Sequence, residues 1–375
     1  MGEGTSLSNE IAAKRSRQWV TLRNGSMDMR CSIGNVATCA HDLRSAVGKP
    51  HSCALVHDQD APAEKLEALR VDLCDQGFTV KVIDMPGTSC DFSSAEAFAL
   101  ALGEASITGD DLVCVMGHDA ALSVASLVCG QWCGGVSLAL IPLDLTSAVT
   151  SGVTPHALNV PGYGDLLSQN GVARFEIVDL SLIDIEPSSE DVSYALALMV
   201  ASATADSDKA FGRLWDNSEK LAAGDVDTYV DQVVDTVKSR GRVISSSALA
   251  VRQSIEYGQD FARALATLTG DQTTPAVRLA DGLRFSARLS VAQDNFSIDD
   301  MLTQDELLER LGIGTTEVSV DPEALIGALK AQRFARSSRF MLPLPRTIGR
   351  VRLTVVEDAL VREHVEAWCE TRPVA

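Results

Sequence analysis

The stretch LVCVMGHDAALSVASLVCGQWCGGVSLALIPLDLTSAVTSGV, residues 112–153, decides how the chain is read. It opens on a short apolar run, turns at Gly117, continues as a helical pattern over 119–133 and enters a second apolar run, SLALIP, at 137–142. Short apolar runs bounded by turn residues and separated by helices read as parallel strands buried on both faces. The alternation extends outward. Strands are expected at 19–23 (WVTLR), 53–57 (CALVH), 79–84 (TVKVID), 112–116, 137–142 and 175–180 (FEIVDL), with helices at 62–76 and 93–106. This is a doubly wound α/β layout with a mainly parallel sheet.

From about residue 190 the pattern turns helical, at 191–215, 219–239, 244–268, 275–293, 303–311 and 322–333. Only RFMLPL (339–344) and RVRLTVV (350–356) read as extended, and a last helix is expected at 357–370. The division is a polar N-terminal arm (1–18), an α/β domain of nucleotide-binding type (19–186) and a mostly α-helical domain (187–375), joined by IDIEPSSED at 183–191.

Composition narrows the function classes. Of 375 residues 46% are hydrophobic and only 5% aromatic, so the core is built from Ala, Val and Leu. A net charge of −19 excludes nonspecific nucleic-acid or anionic-membrane binding, whose affinity comes from Lys and Arg neutralising phosphates. No run is long and apolar enough to span a membrane. The opening MGEGTSLSNEIAAKRSRQ has no apolar signal core, so a cytoplasmic location is expected. The nine cysteines have no framework spacing and read as reduced, buried small side chains. Cys129 and Cys133 are spaced to share a helix face, but zinc needs about four ligands and no second pair lies near.

Several stretches together resemble 3-dehydroquinate synthase and its sugar-phosphate cyclase relatives. The 112–153 stretch is similar to the family's strand, glycine-rich turn, helix and following strand. FEIVDLSLIDIEP (175–187), DKAFGRLWDNSEKLAAGDVDTYVDQVVDTVKSRGRVI (208–244), GQDFARALATLTG (258–270) and RFMLPLPRTIGRVRL (339–353) resemble later family segments, so the likeness runs through about 19–372. The resemblance implies shikimate-pathway ancestry, a phosphate-eliminating lyase activity, NAD as transient oxidant and a divalent metal.

The positions that would carry this chemistry are altered. By the resemblance, the metal-binding glutamate corresponds to Leu198, the ligand histidine of the family's Gly-His motif to Gln259, the third metal ligand to Thr274 or Pro275, and the motif's second, catalytic histidine to Arg263. None replaces an imidazole or carboxylate, so no zinc is expected. Asp58, Gly117 and His118 fall at the nucleotide turn. Only Gly117 is kept there, and His118 and Asp119 add bulk and negative charge where a pyrophosphate would approach. NAD is therefore implied by the family and opposed by the residues. Asp58 also reads as a plain turn residue and Asp119 as a helix cap. At the substrate positions Thr150 replaces an aspartate and His156 a lysine, while Arg240, Arg252 and Arg333 fall where the family has cationic residues.

No Gly-x-Ser-x-Gly elbow supports a triad of Ser151, His156 and Asp144, and no Walker sequence is present. The pairs Asp110–Asp111 and Asp299–Asp300 read as helix-start charges. Two readings follow. One is a pseudoenzyme or binding subunit, a homodimer or a heteromer with a related protein. The other is a divergent enzyme using Asp144, His156, Arg240 and Arg252 on a small anionic ligand.

Overall fold

The first two strands form a hairpin of which only one arm was expected. β1 (Arg15–Leu22) and β2 (Gly25–Ser32) pair antiparallel, Leu22 facing Gly25 across a two-residue turn. The structure, a computed structural model, describes residues 14–47, 51–154, 156–161 and 163–372; of the expected polar arm at 1–18, residues 1–13 lie outside them, and 15–18 belong to β1 rather than to an arm. α1 (Val36–Ala46), also unforeseen, follows. Then come β3 (Ser52–His57), α2 (Ala63–Asp75), β4 (Thr79–Asp84), α3 (Phe92–Glu104), β5 (Leu112–Gly117), α4 (Asp119–Cys129), β6 (Ser137–Pro142) and α5 (Leu145–Thr150). A hairpin of β7 (His156–Val160) and β8 (Tyr163–Gln169) precedes β9 (Phe175–Asp179).

Seven strands form one sheet in the order β1-β2-β9-β6-β5-β3-β4, parallel except for β1. β5 and β9 are buried along their whole length; β5 is accordingly a continuous apolar run, while β9 carries Glu176 and Asp179 buried among apolar residues. Helix α4 stops at Cys129, and Cys133 sits beyond it, exposed, in a turn with φ of 53°. The two cysteines therefore do not share a helix face. Cys31, Cys39, Cys53, Cys114 and Cys129 are buried, as expected for small hydrophobes, whereas Cys74 is exposed.

The second half is α6 (Glu190–Asp206), α7 (Asp208–Ala222), α8 (Val226–Ser245), α9 (Leu249–Arg252), α10 (Gln259–Thr269), α11 (Pro275–Ala292), α12 (Ile298–Arg310), α13 (Pro322–Phe334), the hairpin β10 (Met341–Thr347) and β11 (Arg350–Val355), and α14 (Asp358–Glu370). A mixed, mainly parallel sheet domain thus precedes a mainly α-helical one. α6 is buried all round from Ala195 to Ala205, the signature of a helix inside a core rather than on one. The helix expected at 191–215 breaks at Ser207, whose extended backbone (φ −166°, ψ 154°) lets its hydroxyl cap α7.

Two contacts lock the halves together. Asp191 of α6 accepts from the Leu145 N–H at 2.7 Å and the Thr146 N–H at 3.1 Å, so the helical half caps α5 of the sheet half. Gly241 of α8 lies against β1, where a Cβ would stand 2.4 Å from Val20 Cγ1. Only glycine allows that approach.

Candidate functional site

At the carboxyl end of the sheet, β3 is flanked by β4 on one side and β5 on the other, so the loops leaving β3 and β5 diverge. Such a switch point is where open α/β sheets bind ligands. A cavity of about 260 Å³ lies there, lined by His57, Asp58, Asp60, Asp84, Gly87 and His118 among others. Two sequence-identified residues, Asp58 and His118, line it, with Gly117 directly beside them. Asp58 Oδ2 accepts from the His118 backbone N–H at 2.7 Å and pairs with His118 Nδ1 at 2.8 Å. A Cβ on Gly117 would stand 2.8 Å from that same carboxylate oxygen.

The carboxylate therefore holds the place at the start of α4 where an external anion would meet backbone N–H groups. Burial works to raise the Asp58 carboxyl, but hydrogen bonds from the His118 ring and backbone outweigh it and hold the group below its ordinary value. The Asp58 hydrogen bond in turn raises the His118 imidazole. His57, not singled out from sequence, bridges Asp84 Oδ1 at 2.9 Å and the Asp58 carbonyl at 2.9 Å. The alternation of CALVH and TVKVID marked strand ends but gave no sign that the two would pair side by side.

Asp58, Asp60 and His118 bring their donor atoms within 4.8 Å of one another and are, among the described residues, the one trio with that geometry. Replacing Asp58 by alanine is expected to drop the His118 pKa toward the ordinary imidazole value, read from its ring-proton shifts in an NMR titration. An unchanged midpoint would mean that the pair does not form in solution.

A second polar group lies where the helical half meets the sheet half. Arg240 of α8 is only 3% exposed. It donates to Thr154 Oγ1 at 2.7 Å and to Ser202 Oγ at 3.0 Å, with no carboxylate within ion-pair distance among the described residues. Burial brings its guanidinium down to about 10, still charged at neutral pH. Ser202 donates to the Leu198 carbonyl at 2.6 Å, so this cation stands one helical turn from Leu198, itself buried in the core.

Nearby, Arg263 pairs with Glu256 and lies 3.4 Å from Asp260, while Arg333 approaches Asp260 at 3.3 Å. Desolvation works to raise the carboxyl of half-buried Glu256, but the charges of Arg263, then Arg336, hold it below the usual carboxylate range. Burial holds Asp260 above its ordinary value, although Arg333 and Arg263 pull the other way. Arg333 Nε and Nη2 are buried without hydrogen-bond partners among the described residues. Gln259 pairs with the Tyr194 hydroxyl, and Thr274 caps α11.

The remaining sequence-identified residues do not join either group through the contacts they make. Arg252 donates to the Ser246 and Ser247 carbonyls at 2.8 and 2.9 Å, closing the end of α8. Asp144 caps α5 through the Ser147 N–H at 2.6 Å, and burial followed by the nearby Asp191 charge raises its carboxyl. His156 opens β7 opposite Gln169, and its side chain lies outside the described residues. Asp111 accepts from Ser52 and Thr108 before β5 rather than starting a helix, whereas Asp299 and Asp300 do open α12.

No protein-family model matches the chain. It is 25% identical over 247 residues to the 3-dehydroquinate synthase of Streptomyces avermitilis, covering 63% of this chain and 66% of that protein. It is 22% identical over 229 residues to the 3-dehydroquinate synthase of Dehalococcoides mccartyi, covering 60% and 64%. The matched region thus spans about two thirds of the length of these curated relatives. Among solved structures, 2-deoxy-scyllo-inosose synthase complexed with carbaglucose-6-phosphate, NAD+ and Co2+ superimposes with a TM-score of 0.79 at 14% identity, over 94% of this chain and 99% of that one. 2-Epi-5-epi-valiolone synthase from Streptomyces hygroscopicus, with NAD+ and Zn2+ bound, gives 0.77 at 13% identity over 93% and 98%. The structural matches establish a shared fold, and the sequence matches relate the chain, at low identity and over part of its length, to 3-dehydroquinate synthases.

Proposed function

We propose that this chain is a synthase-like protein that has given up metal- and NAD-dependent turnover and acts as a binding or regulatory subunit, as a homodimer or beside a related active protein. The observation that carries this reading is the buried guanidinium of Arg240 one turn from Leu198. The matched metal-ligand positions hold an apolar side chain, an amide and a hydroxyl or proline, and the matched catalytic histidine is a guanidinium. These residues do not fit a divalent cation: the donors are gone and fixed positive charge has entered. Nor does the nucleotide turn favour a pyrophosphate, since the Asp58 carboxylate already holds the His118 N–H and adds like charge.

The test is phosphate release from the family's sugar-acid phosphate with NAD and zinc or cobalt in excess. We expect a rate equal to the protein-free blank and no metal retained after dialysis. Metal-dependent turnover would overturn the reading.

One observation favours a second reading. Arg240, Arg263, Arg333 and Arg336 outnumber Glu256 and Asp260 in one part-buried region of a strongly acidic protein. Guanidinium clusters of that kind hold carboxylates and phosphates. A divergent enzyme acting on a small anionic ligand without metal would use this region.

A further inference from the structure

The helical domain contains a cavity of about 370 Å³ that the family relation does not assign. It lies between α11, α12 and α14, away from the sheet. One wall is aromatic: Phe285 stacks on Phe261 with ring centroids 4.1 Å apart, and Trp368 meets Phe261 edge-on at 5.4 Å. The Arg372 guanidinium lies 4.2 Å above the Trp368 ring. The rest of the lining carries both signs of charge, already partly paired. Arg372 Nη2 reaches Asp281 Oδ1 at 3.0 Å and Arg288 Nη2 reaches Asp305 Oδ2 at 2.7 Å.

Three polar atoms on these lining residues are buried without a hydrogen-bond partner among the described residues. They are Trp368 Nε1, Arg372 Nε and Asp305 Oδ1. Asp305 Oδ1 lies 3.9 Å from Arg284 Nε, beyond hydrogen-bond reach. Buried polar groups are almost always paired, so three orphans around one cavity call for a cause. Two are donors and one is an acceptor. A plain anion would satisfy the first two and repel the third, and a cation the reverse. A small zwitterion satisfies all three, with its carboxylate toward the Trp368 and Arg372 N–H groups and its ammonium toward Asp305. The aromatic wall and the volume suit an apolar side chain on the same molecule.

We propose that this cavity binds a free α-amino acid with an apolar side chain. The three atoms are closed to water, so binding requires the side chains around the cavity to shift and open them to the ligand. The site is independent of the switch-point cavity and of the Arg240 region.

The test is calorimetric titration of the full chain with L-phenylalanine and L-leucine, beside 3-phenylpropionate, which lacks the ammonium, and 2-phenylethylamine, which lacks the carboxylate. Saturable binding of an amino acid with a change in indole fluorescence is expected, each half-analogue binding about tenfold more weakly or worse. Trp368→Phe keeps the ring and removes the donor, and Asp305→Asn removes the charge; each is expected to weaken binding by about tenfold. No saturable binding of either amino acid up to about 10 mM would overturn the proposal. So would a half-analogue that binds as tightly as L-phenylalanine. Wild-type affinity in both variants would also overturn it, by placing the ligand elsewhere.

Discussion

Replacing Gly282 by alanine is expected to cost about 3 kcal/mol or more of folding stability, despite the roughly 1 kcal/mol by which alanine is the better helix former. Gly282 lies in α11 with its face against Gly258. A Cβ there would stand 2.1 Å from the Gly258 carbonyl oxygen and 2.9 Å from its carbonyl carbon. Neither atom is the end of a flexible side chain, so relief requires α11 or the 258 turn to move. Gly258 is fixed in turn by its backbone: φ is 81°, and a Cβ on it would meet the Leu283 amide at 3.0 Å. Beside it, the buried Tyr257 hydroxyl donates to Gln304 at 2.8 Å, tying the turn to α12. Because Gly258 immediately precedes α10, which carries Asp260 and Arg263, the change also displaces the arginine region. Urea unfolding of the variant reads the loss. A stability within about 0.5 kcal/mol of wild type would show that the two backbones are not in contact. Gly258→Ala removes the same fit from the other side, so the double variant is expected to lose less than the two single losses combined.

That glycine pair shows what the sequence could and could not convey. The glycine that opens GQDFARALATLTG was visible, and so was the helix after it. Its partner at 282, 24 positions on inside a regular helical pattern, carried no local mark. The central strands were legible because burial on both faces writes itself as unbroken apolar runs. β2 was not, because GSMDMRCS looks polar: Asp28 is only 1% exposed and is compensated by Arg17 and Arg30, both at 2.8 Å. The Asn24-Gly25 pair was the one local hint of its hairpin. α1 and α5 were missed for a related reason. Neither N-terminus relies on nearby sequence alone, since Asp179 accepts from the Gly34 and Val36 N–H groups and Asp191 from those of Leu145 and Thr146.

The candidate site divides in the same way. That Asp58, Gly117 and His118 would lie together was implied by the family resemblance, which set all three at the nucleotide turn. That the carboxylate would accept the His118 N–H did not follow, since it depends on the register of β3 against β5. Arg240 was singled out by the family resemblance alone, since its own sequence context is that of one more helical arginine. Its burial comes from Thr154 and Ser202, which are 86 and 38 residues away in sequence. Arg252 had the same appearance and turned out to cap the end of its own preceding helix.

Stability should fall as pH rises from the ordinary glutamate range to about 8, and Glu176→Gln should remove that fall. Glu176 sits in β9 in the middle of the sheet, fully buried. Its Oε1 accepts from the Ser151 hydroxyl at 2.9 Å and the Gly152 N–H at 3.0 Å, while Oε2 has no partner among the described residues. Burial pushes its carboxyl up to about 8, against the pull of those two hydrogen bonds. The sign follows from linkage. Below the unfolded value both states hold the proton, and the contribution is fully present. Between that value and about 8 the unfolded chain releases its proton while the folded chain keeps it, so each pH unit costs about 1.4 kcal/mol. Above about 8 both states are ionised and the loss is complete, at up to about 5 kcal/mol. Glutamine keeps an acceptor for Ser151 and Gly152 and places a neutral amide where Oε2 stands. Other groups titrate over the same range, so the informative quantity is the difference between the variant and wild type, measured by urea unfolding at pH 5, 7 and 9. The variant is expected to gain on wild type across that series. Parallel stability curves would mean that Glu176 ionises at an ordinary pKa, and that water or a cation reaches it in the folded sheet.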